Sequence, residues 1–384
     1  MFRKIAVGVL VFGLAMPGVS QAAKVKIGFI NTITGAEAPI GENLTNGVIM
    51  AIEDLKKKGI EVDLSKEDDT GKPEKSLAAF EKLATRDNVA GVVGPYTSAC
   101  SSAVASQADK YKVPLLVPVA AKEDITRKGY KFVFRLNAPA DVYSSVLMDA
   151  VLTLDKPKTI AYIYESTDFG TSTVNTAKEY AKRLGIQEVA EERYQKGAPD
   201  FRSTLSKIKS KNPDLVFMVS YVVDAITLMR QSKEMGLSPK AFLGGGAGFT
   251  TTQFLAQKEI SNLVMSSTQW TDDVNWPGAS DFAKRYLAKY KKEPTYHAAC
   301  AYEAMMIMAE CASKNDGDRE KTRNALKDGQ WNGIMGEVKF ADYDGFTNQN
   351  NHPMLVQQVQ DGKYETVFPA KFATKKPIYP FKWK

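Results

Sequence analysis

The chain has 384 residues, of which 44% are hydrophobic and 25% charged, and its net charge is +7. This is ordinary globular composition, which excludes a disordered chain, and the length suffices for two domains of about 100–200 residues each. The basic residues are dispersed, which argues against nucleic-acid binding, and an acidic ligand or partner face is the functional reading of the excess.

Residues 1–23 open with Arg3 and Lys4, continue as an apolar run from Ile5 to Leu14, and end in small residues up to Ala22-Ala23. This predicts a secretory signal peptide, since the run is shorter than the about 20 residues that span a bilayer. Cleavage after Ala22 or Ala23 is expected, and no Cys follows the run to take a lipid anchor. Loss of Arg3 and Lys4 lowers the charge of +7 by two, to +5. The expected location is the periplasm, which excludes ATP-driven and NAD-driven cytosolic chemistry.

Residues 25–30 form an apolar-rich strand, 32–41 a loop bearing Gly and Pro, and 43–58 a helix with apolar residues at helical spacing. Strand 60–66, helix 73–87, buried strand 90–95, helix 98–112 and buried strand 113–118 follow. Near Asn137-Ala138-Pro139 the rhythm breaks and restarts with helix 140–154. Strands 158–164, 186–193, 215–220 and 240–244 then alternate with helices 170–184, 201–211 and 224–235. Residues 296–311 are a strongly apolar helix, 336–340 and 355–359 are strands, and 371–384 read as an extended surface segment. Alternating strands and helices with short connections imply parallel sheets covered on both faces, and two such runs imply two lobes with a cleft. Ligands of such sheets bind beyond the carboxyl ends of the strands, here the loops after Val93, Val117, Tyr164, Ser220 and Leu243.

Catalytic signatures are missing. Gly244-Gly245-Gly246-Ala247-Gly248 lacks the spacing of a dinucleotide loop, and there is no G-x-S-x-G, H-E-x-x-H or C-x-x-C. Cys300 and Cys311 lie on one helix, about 16 Å apart at 1.5 Å per residue, too far for a disulfide. With Cys100 they are expected to be free and buried. The pairs Asp68-Asp69 and Asp272-Asp273 read as surface carboxylates, and His297 as a structural histidine in an apolar helix.

Thr34-Gly35, Gly41, Asn46-Gly47 and Met50-Ala51-Ile52 come first in an ordered series of motifs. Val92-Val93-Gly94-Pro95-Tyr96-Thr97-Ser98, Phe132-Val133-Phe134-Arg135, Asn212-Pro213-Asp214, Lys233-Glu234-Met235-Gly236-Leu237 and Tyr302-Glu303-Ala304 continue it. Together they resemble the type I periplasmic solute-binding proteins of ABC importers, of the leucine/isoleucine/valine-binding protein group, over nearly all of the mature chain. The resemblance implies an α/β fold of two hinged lobes, each with a mainly parallel sheet flanked by helices. Three crossovers are expected near Pro139, Trp270 and His352, so that 24–139 plus 271–352 make lobe 1 and 140–270 plus 353–384 make lobe 2. It further implies binding without catalysis, no cofactor or metal, a monomer, and delivery of a small solute to an inner-membrane permease.

By the same resemblance, Ser98 and the backbone of Val119-Ala120-Ala121 hold a ligand carboxylate, with Tyr96 beside them and Tyr221 at a family aromatic position. A helix N-terminus at Ser98 suits an anion, and Ser98 as a plain N-cap is the alternative. Ala121 stands where the family has a threonine hydroxyl, Ile40 and Phe169 where it has tyrosines, and Gly246 where it has the acidic partner of the ligand ammonium. Glu165 and Asp224 are the candidate ammonium partners from neighbouring loops. Without one, the expected ligand is a small carboxylate or amide with an apolar or aromatic body, for which Gly246 leaves room. The competing readings are a periplasmic sensor subunit of the same fold and an exported hydrolase using Ser98.

Overall fold

In a computed structural model the described residues are 23–383, so the expected signal peptide, save its last residue, lies outside them. Strands β1 (Ala23–Asn31), β2 (Ile60–Asp68), β3 (Gly91–Val93), β4 (Leu115–Val117) and β5 (Val133–Arg135) alternate with helices. The chain then builds β6 (Thr159–Glu165), β7 (Gln187–Tyr194), β8 (Leu215–Val219), β9 (Ala241–Gly244) and β10 (Met265–Thr268). It ends with β11 (Gln330–Gly333), β12 (Gly336–Tyr343), β13 (Phe346–Asn350), β14 (Leu355–Gln360) and β15 (Lys363–Phe368). Two sheets result, of order β11-β12-β13-β5-β4-β3-β1-β2 and β15-β14-β10-β9-β8-β6-β7. Neighbours are parallel through β1 to β5 and through β6 to β10, while β11–β12, β12–β13, β10–β14 and β14–β15 are antiparallel. β3, β4, β5, β8 and β9 are buried along their whole length, as strands covered by helices on both faces must be.

The chain passes between the sheets after β5, after β10 and after β13. These three passages are tied to one another. Gln349 Nε2 donates to Asn137 O at 2.7 Å, Asn350 Nδ2 to Leu136 O at 2.8 Å, and His352 Nε2 lies 2.6 Å from Gln269 O. Such bonds satisfy backbone that has left both ladders, which a buried connection requires.

Helix Ala38–Lys57 packs against helix Tyr296–Ser313, which is buried nearly all round. Gly47 permits the approach, because a Cβ there would stand 2.1 Å from Ala298 O. The first helix begins at Ala38 rather than Asn43, since Pro39 suits a first helical turn and Gly41 lies against the Thr32 carbonyl.

Two readings of the sequence need correction. Asp69 is not a surface carboxylate: it is buried and accepts hydrogen bonds from Thr32 Oγ1, Gly71 N and Ser76 Oγ, stapling the first loop to the next helix. The C-terminal segment is not a loose surface strand. Phe381 is buried, its ring 4.8 Å from that of Phe242, its N–H donates to Lys240 O at 2.7 Å, and Trp383 Nε1 donates to Leu237 O at 2.8 Å. Tyr379, Phe381 and Trp383 alternate, so one side of an extended chain carries enough apolar area to dock. Cys100, Cys300 and Cys311 are free and buried.

Candidate functional site

Helix Ser98–Tyr111 starts beyond the carboxyl end of β3. Its N-cap is Thr97, whose hydroxyl accepts from Cys100 N at 3.3 Å, so Ser98 is released from capping. Ser98 is buried, and its Oγ accepts the N–H of Lys122 at 3.3 Å. The turn after β4 is held from beneath by Arg135, which is wholly buried and donates to Ala121 O at 3.0 Å, Lys122 O at 2.7 Å and Thr126 Oγ1 at 2.8 Å. Burial lowers its guanidinium to about 10, and no carboxylate shares these bonds. The N–H groups of Ala120 and Ala121 find no acceptor among the described residues. A hydroxyl, two N–H groups, a helix start and a buried cation therefore converge, an arrangement that suits a carboxylate.

The facing wall comes from the second sheet. Phe169 sits in the first turn of helix Asp168–Arg183, and Tyr221 precedes helix Val222–Glu234. Ala247 begins a short helical turn after Gly246. Tyr143 and Tyr296, each near the start of its helix, close the cavity. The aromatic rings meet across the cleft, with centroids 6.1 Å apart for Tyr96 and Tyr221, 5.9 Å for Phe169 and Tyr221, and 6.4 Å for Tyr143 and Phe169. Two ion pairs join the walls, Lys122 with Asp168 at 2.7 Å and Lys196 with Glu37 at 2.6 Å. The cavity left inside is about 10 Å³, so the cleft is shut. The hydroxyl of Tyr96 is buried there without a partner.

The structure thus brings Tyr96, Ser98, Ala120, Ala121, Phe169 and Tyr221 around one cavity, together with Val119. Ile40 does not line it, because the early start of its helix turns it into the core, where it is 1% exposed. Gly246 lies just behind, at φ +81°, and the space beside it is not open. The Tyr143 ring would stand 2.7 Å from a Cβ at this position, and its hydroxyl accepts from Gln269 Nε2. Tyr143, Tyr296 and Ala247 escaped the sequence reading, because aromatic and small residues at helical spacing look like core. The one signal of Tyr143 and Tyr296 is a place in the first turn after a crossover or a proline, and that of Ala247 is its place in a glycine run after a strand.

Neither candidate ammonium partner lines the cavity. Glu165 is fully buried behind Tyr221, with Oε2 accepting Tyr221 N at 3.1 Å and Oε1 accepting Thr167 Oγ1 at 2.8 Å. Burial raises its carboxyl to about 8. Asp224 accepts Gly197 N at 2.9 Å, and burial raises it too. His297 has its Nδ1 3.1 Å from Thr295 Oγ1, and burial lowers its imidazole to about 3, so it is held neutral in the apolar helix.

The family model described as periplasmic binding protein matches residues 24–363. The chain belongs to the periplasmic binding protein family. Among curated proteins it is similar to Leu/Ile/Val-binding protein homolog 8 of Brucella abortus (strain 2308), at 28% identity over 92% of this chain and 93% of the relative. Among solved structures it is similar to the leucine binding protein LivK from Thermotoga maritima, at 25% identity and a TM-score of 0.80, covering 90% of this chain and 98% of that one. A solute binding protein of an ABC transporter from R. palustris in complex with benzoate shares the fold at 19% identity and a TM-score of 0.80, over 89% of this chain and 95% of that one. The two mixed, mainly parallel sheets flanked by helices are the type I periplasmic binding protein fold, and the family's members are solute-binding proteins of the ABC-transporter type.

If Ser98 carries a ligand carboxylate, Ser98→Ala should weaken binding by about 1.5–3 kcal/mol, as for hydrogen bonds to charged groups. Thr97→Ala should instead lower unliganded stability by about 1 kcal/mol, the cost of a lost cap. Calorimetry and urea unfolding on both variants separate the roles. Unchanged affinity in Ser98→Ala would remove Ser98 from the site.

Proposed function

We propose that this protein is the periplasmic substrate-binding component of an ABC importer. It captures a small carboxylate with an apolar or aromatic body, without catalysis or cofactor, and delivers it as a monomer to an inner-membrane permease. The observation that carries the ligand class is the lining of the cleft. It holds a carboxylate cradle and six aromatic or small apolar neighbours, and none of its ten side chains is acidic. An ammonium closed into it would lie unpaired, at a cost of several kcal/mol. Glu165 is committed to Thr167 and Tyr221, and burial raises its carboxyl to about 8, which disfavours its charged form. The benzoate ligand of the R. palustris neighbour is of this class.

Closure follows from residues 24–139 plus 271–352 moving as one lobe against 140–270 plus 353–384, with the three tied crossovers as hinge. The pairs Lys122–Asp168 and Lys196–Glu37 form only when the lobes meet.

The second reading, an amino-acid ligand, is favoured by the Leu/Ile/Val-binding relative and by LivK. Calorimetric titration with benzoate and with leucine decides between them. Benzoate is expected to bind and leucine to bind at least about a hundredfold more weakly, a difference of about 2.7 kcal/mol. Tight leucine binding that disappears in Glu165→Gln or Asp224→Asn would overturn the proposal.

A further inference from the structure

Ser98 lines the cleft, its Oγ accepts the N–H of Lys122 at 3.3 Å, and among the described residues its own hydroxyl proton has no acceptor. The peptide group that carries this N–H is the one between Ala121 and Lys122. Its carbonyl, Ala121 O, accepts Arg135 Nη1 at 3.0 Å. Arg135, one peptide and the Ser98 hydroxyl therefore form a single hydrogen-bonded chain, in which every donor points from the guanidinium toward the cleft. A cation at the head of such a chain polarises each bond in turn, and the effect is strongest in a low-dielectric interior.

Arg135 is 0% exposed, and its four hydrogen bonds all go to neutral oxygens. Besides Ala121 O these are Lys122 O at 2.7 Å, Thr126 Oγ1 at 2.8 Å and Gln349 Oε1 at 2.5 Å. The guanidinium also lies 5.6 Å from the centre of the Phe346 ring. The carboxylates that act on it through space, Asp141 and Glu123, are engaged elsewhere. Asp141 Oδ1 accepts Val142 N at 2.9 Å, and Glu123 Oε2 pairs with Arg127 Nε at 3.2 Å. Buried charges are ordinarily paired, and this one is directed through a peptide into the cleft instead.

We propose that Arg135 is a positioning residue that makes the cleft select anions. It does not touch the ligand. It supplies the positive end of a relay, through the Ala121–Lys122 peptide and the Ser98 hydroxyl, that a carboxylate completes and an uncharged amide group answers only weakly. The inference rests on the reading of the cleft as a carboxylate site, and it holds whether the acid is aromatic or an amino acid.

The test compares each acid with its own amide by calorimetry, benzoate with benzamide and leucine with leucinamide. Thr126 is 1% exposed, accepts Arg135 Nη2, and is not among the residues that line the cleft. Thr126→Asp sets a carboxylate on the guanidinium, and Thr126→Asn has the same shape without the charge. The preference for acid over amide should be about tenfold lower in Thr126→Asp than in Thr126→Asn, as one charge–charge interaction is cancelled. Arg135→Lys should retain the preference while weakening acid and amide together, and Arg135→Met should lose it. Where Arg135→Met does not fold, the Thr126 pair decides. Because the relay runs through the Ser98 hydroxyl, the effect of Thr126→Asp should shrink in a Ser98→Ala background. Equal preferences in Thr126→Asp and Thr126→Asn, or an effect that Ser98→Ala leaves whole, would overturn the relay. If neither acid binds the parent, the carboxylate reading falls and the inference with it. If an acid binds and its preference survives Thr126→Asp, the inference alone falls.

Discussion

Replacing Glu165 with Gln should remove much of the protein's loss of stability between pH 4.5 and 8. Glu165 is fully buried, and burial raises its carboxyl from 4.5 to about 8 in the folded state. A carboxyl raised on folding contributes stability that is fully present below its unfolded value. That contribution fades as pH rises toward the folded value, because the unfolded chain releases the proton first. The gap between 4.5 and about 8 corresponds to on the order of 5 kcal/mol, reached above pH 8. Gln keeps an oxygen for Tyr221 N and places its amide against Thr167 Oγ1, whose hydroxyl turns from donor to acceptor. The difference in unfolding free energy between Glu165→Gln and the parent, from urea titrations across this range, should therefore grow with pH. His297 and His352, lowered by burial to about 3 and about 4, and Glu303, raised by burial to about 7, act in both proteins and cancel in the difference. Parallel stability curves would show that Glu165 is ionised in the fold and restore it as an ammonium partner.

Gly47→Ala should destabilise the protein by about 3 kcal/mol, the upper end for overpacking. Its Cβ would stand 2.1 Å from Ala298 O and 3.0 Å from Ala298 C, both backbone atoms that cannot rotate away. Helix propensity returns less than about 1 kcal/mol of this. The strain has a functional consequence, because Ala298 lies two residues after Tyr296, which lines the cleft. Parting the helices moves that ring, so ligand affinity at the cleft should fall together with the urea midpoint. A variant as stable as the parent would mean that the two helices are not held at this distance.

The residues proposed to hold the carboxylate could be named from the sequence because the motifs that carry the resemblance are local. A glycine turn, a serine at a helix start and a short apolar strand ending in small residues are contiguous patterns; they carry the resemblance through which Tyr96, Ser98, Ala120 and Ala121 were named, and the structure sets these four around one cavity. The alternation of strands and helices was legible for the same reason, since burial on one face imposes a period on the sequence. Strands β5, β10, β11, β13 and β15 were not, being short runs that carry too few residues to show a period. Ile40 and Gly246 do not line the cavity, because the helix starts five residues earlier than expected and because a ring from another helix, Tyr143, fills the space beside Gly246.

The amino-acid sequence by itself determined the secondary-structure rhythm, the doubled α/β organisation and the family, and through the resemblance it named the residues proposed for the cradle. Tertiary structure alone decided that Thr97 rather than Ser98 caps the helix, that Tyr143 and Tyr296 close the cleft, that Arg135 lies beneath the turn, and that the C-terminal segment is docked. It alone decided the burial that raises the Glu165 carboxyl to about 8 and that leaves Trp270 Nε1 and Gln357 Nε2 unpaired among the described residues. The physical reason is range. Periodicity and turn chemistry act over a few residues, whereas burial, charge state and the pairing of a polar atom depend on which distant segments are packed against it.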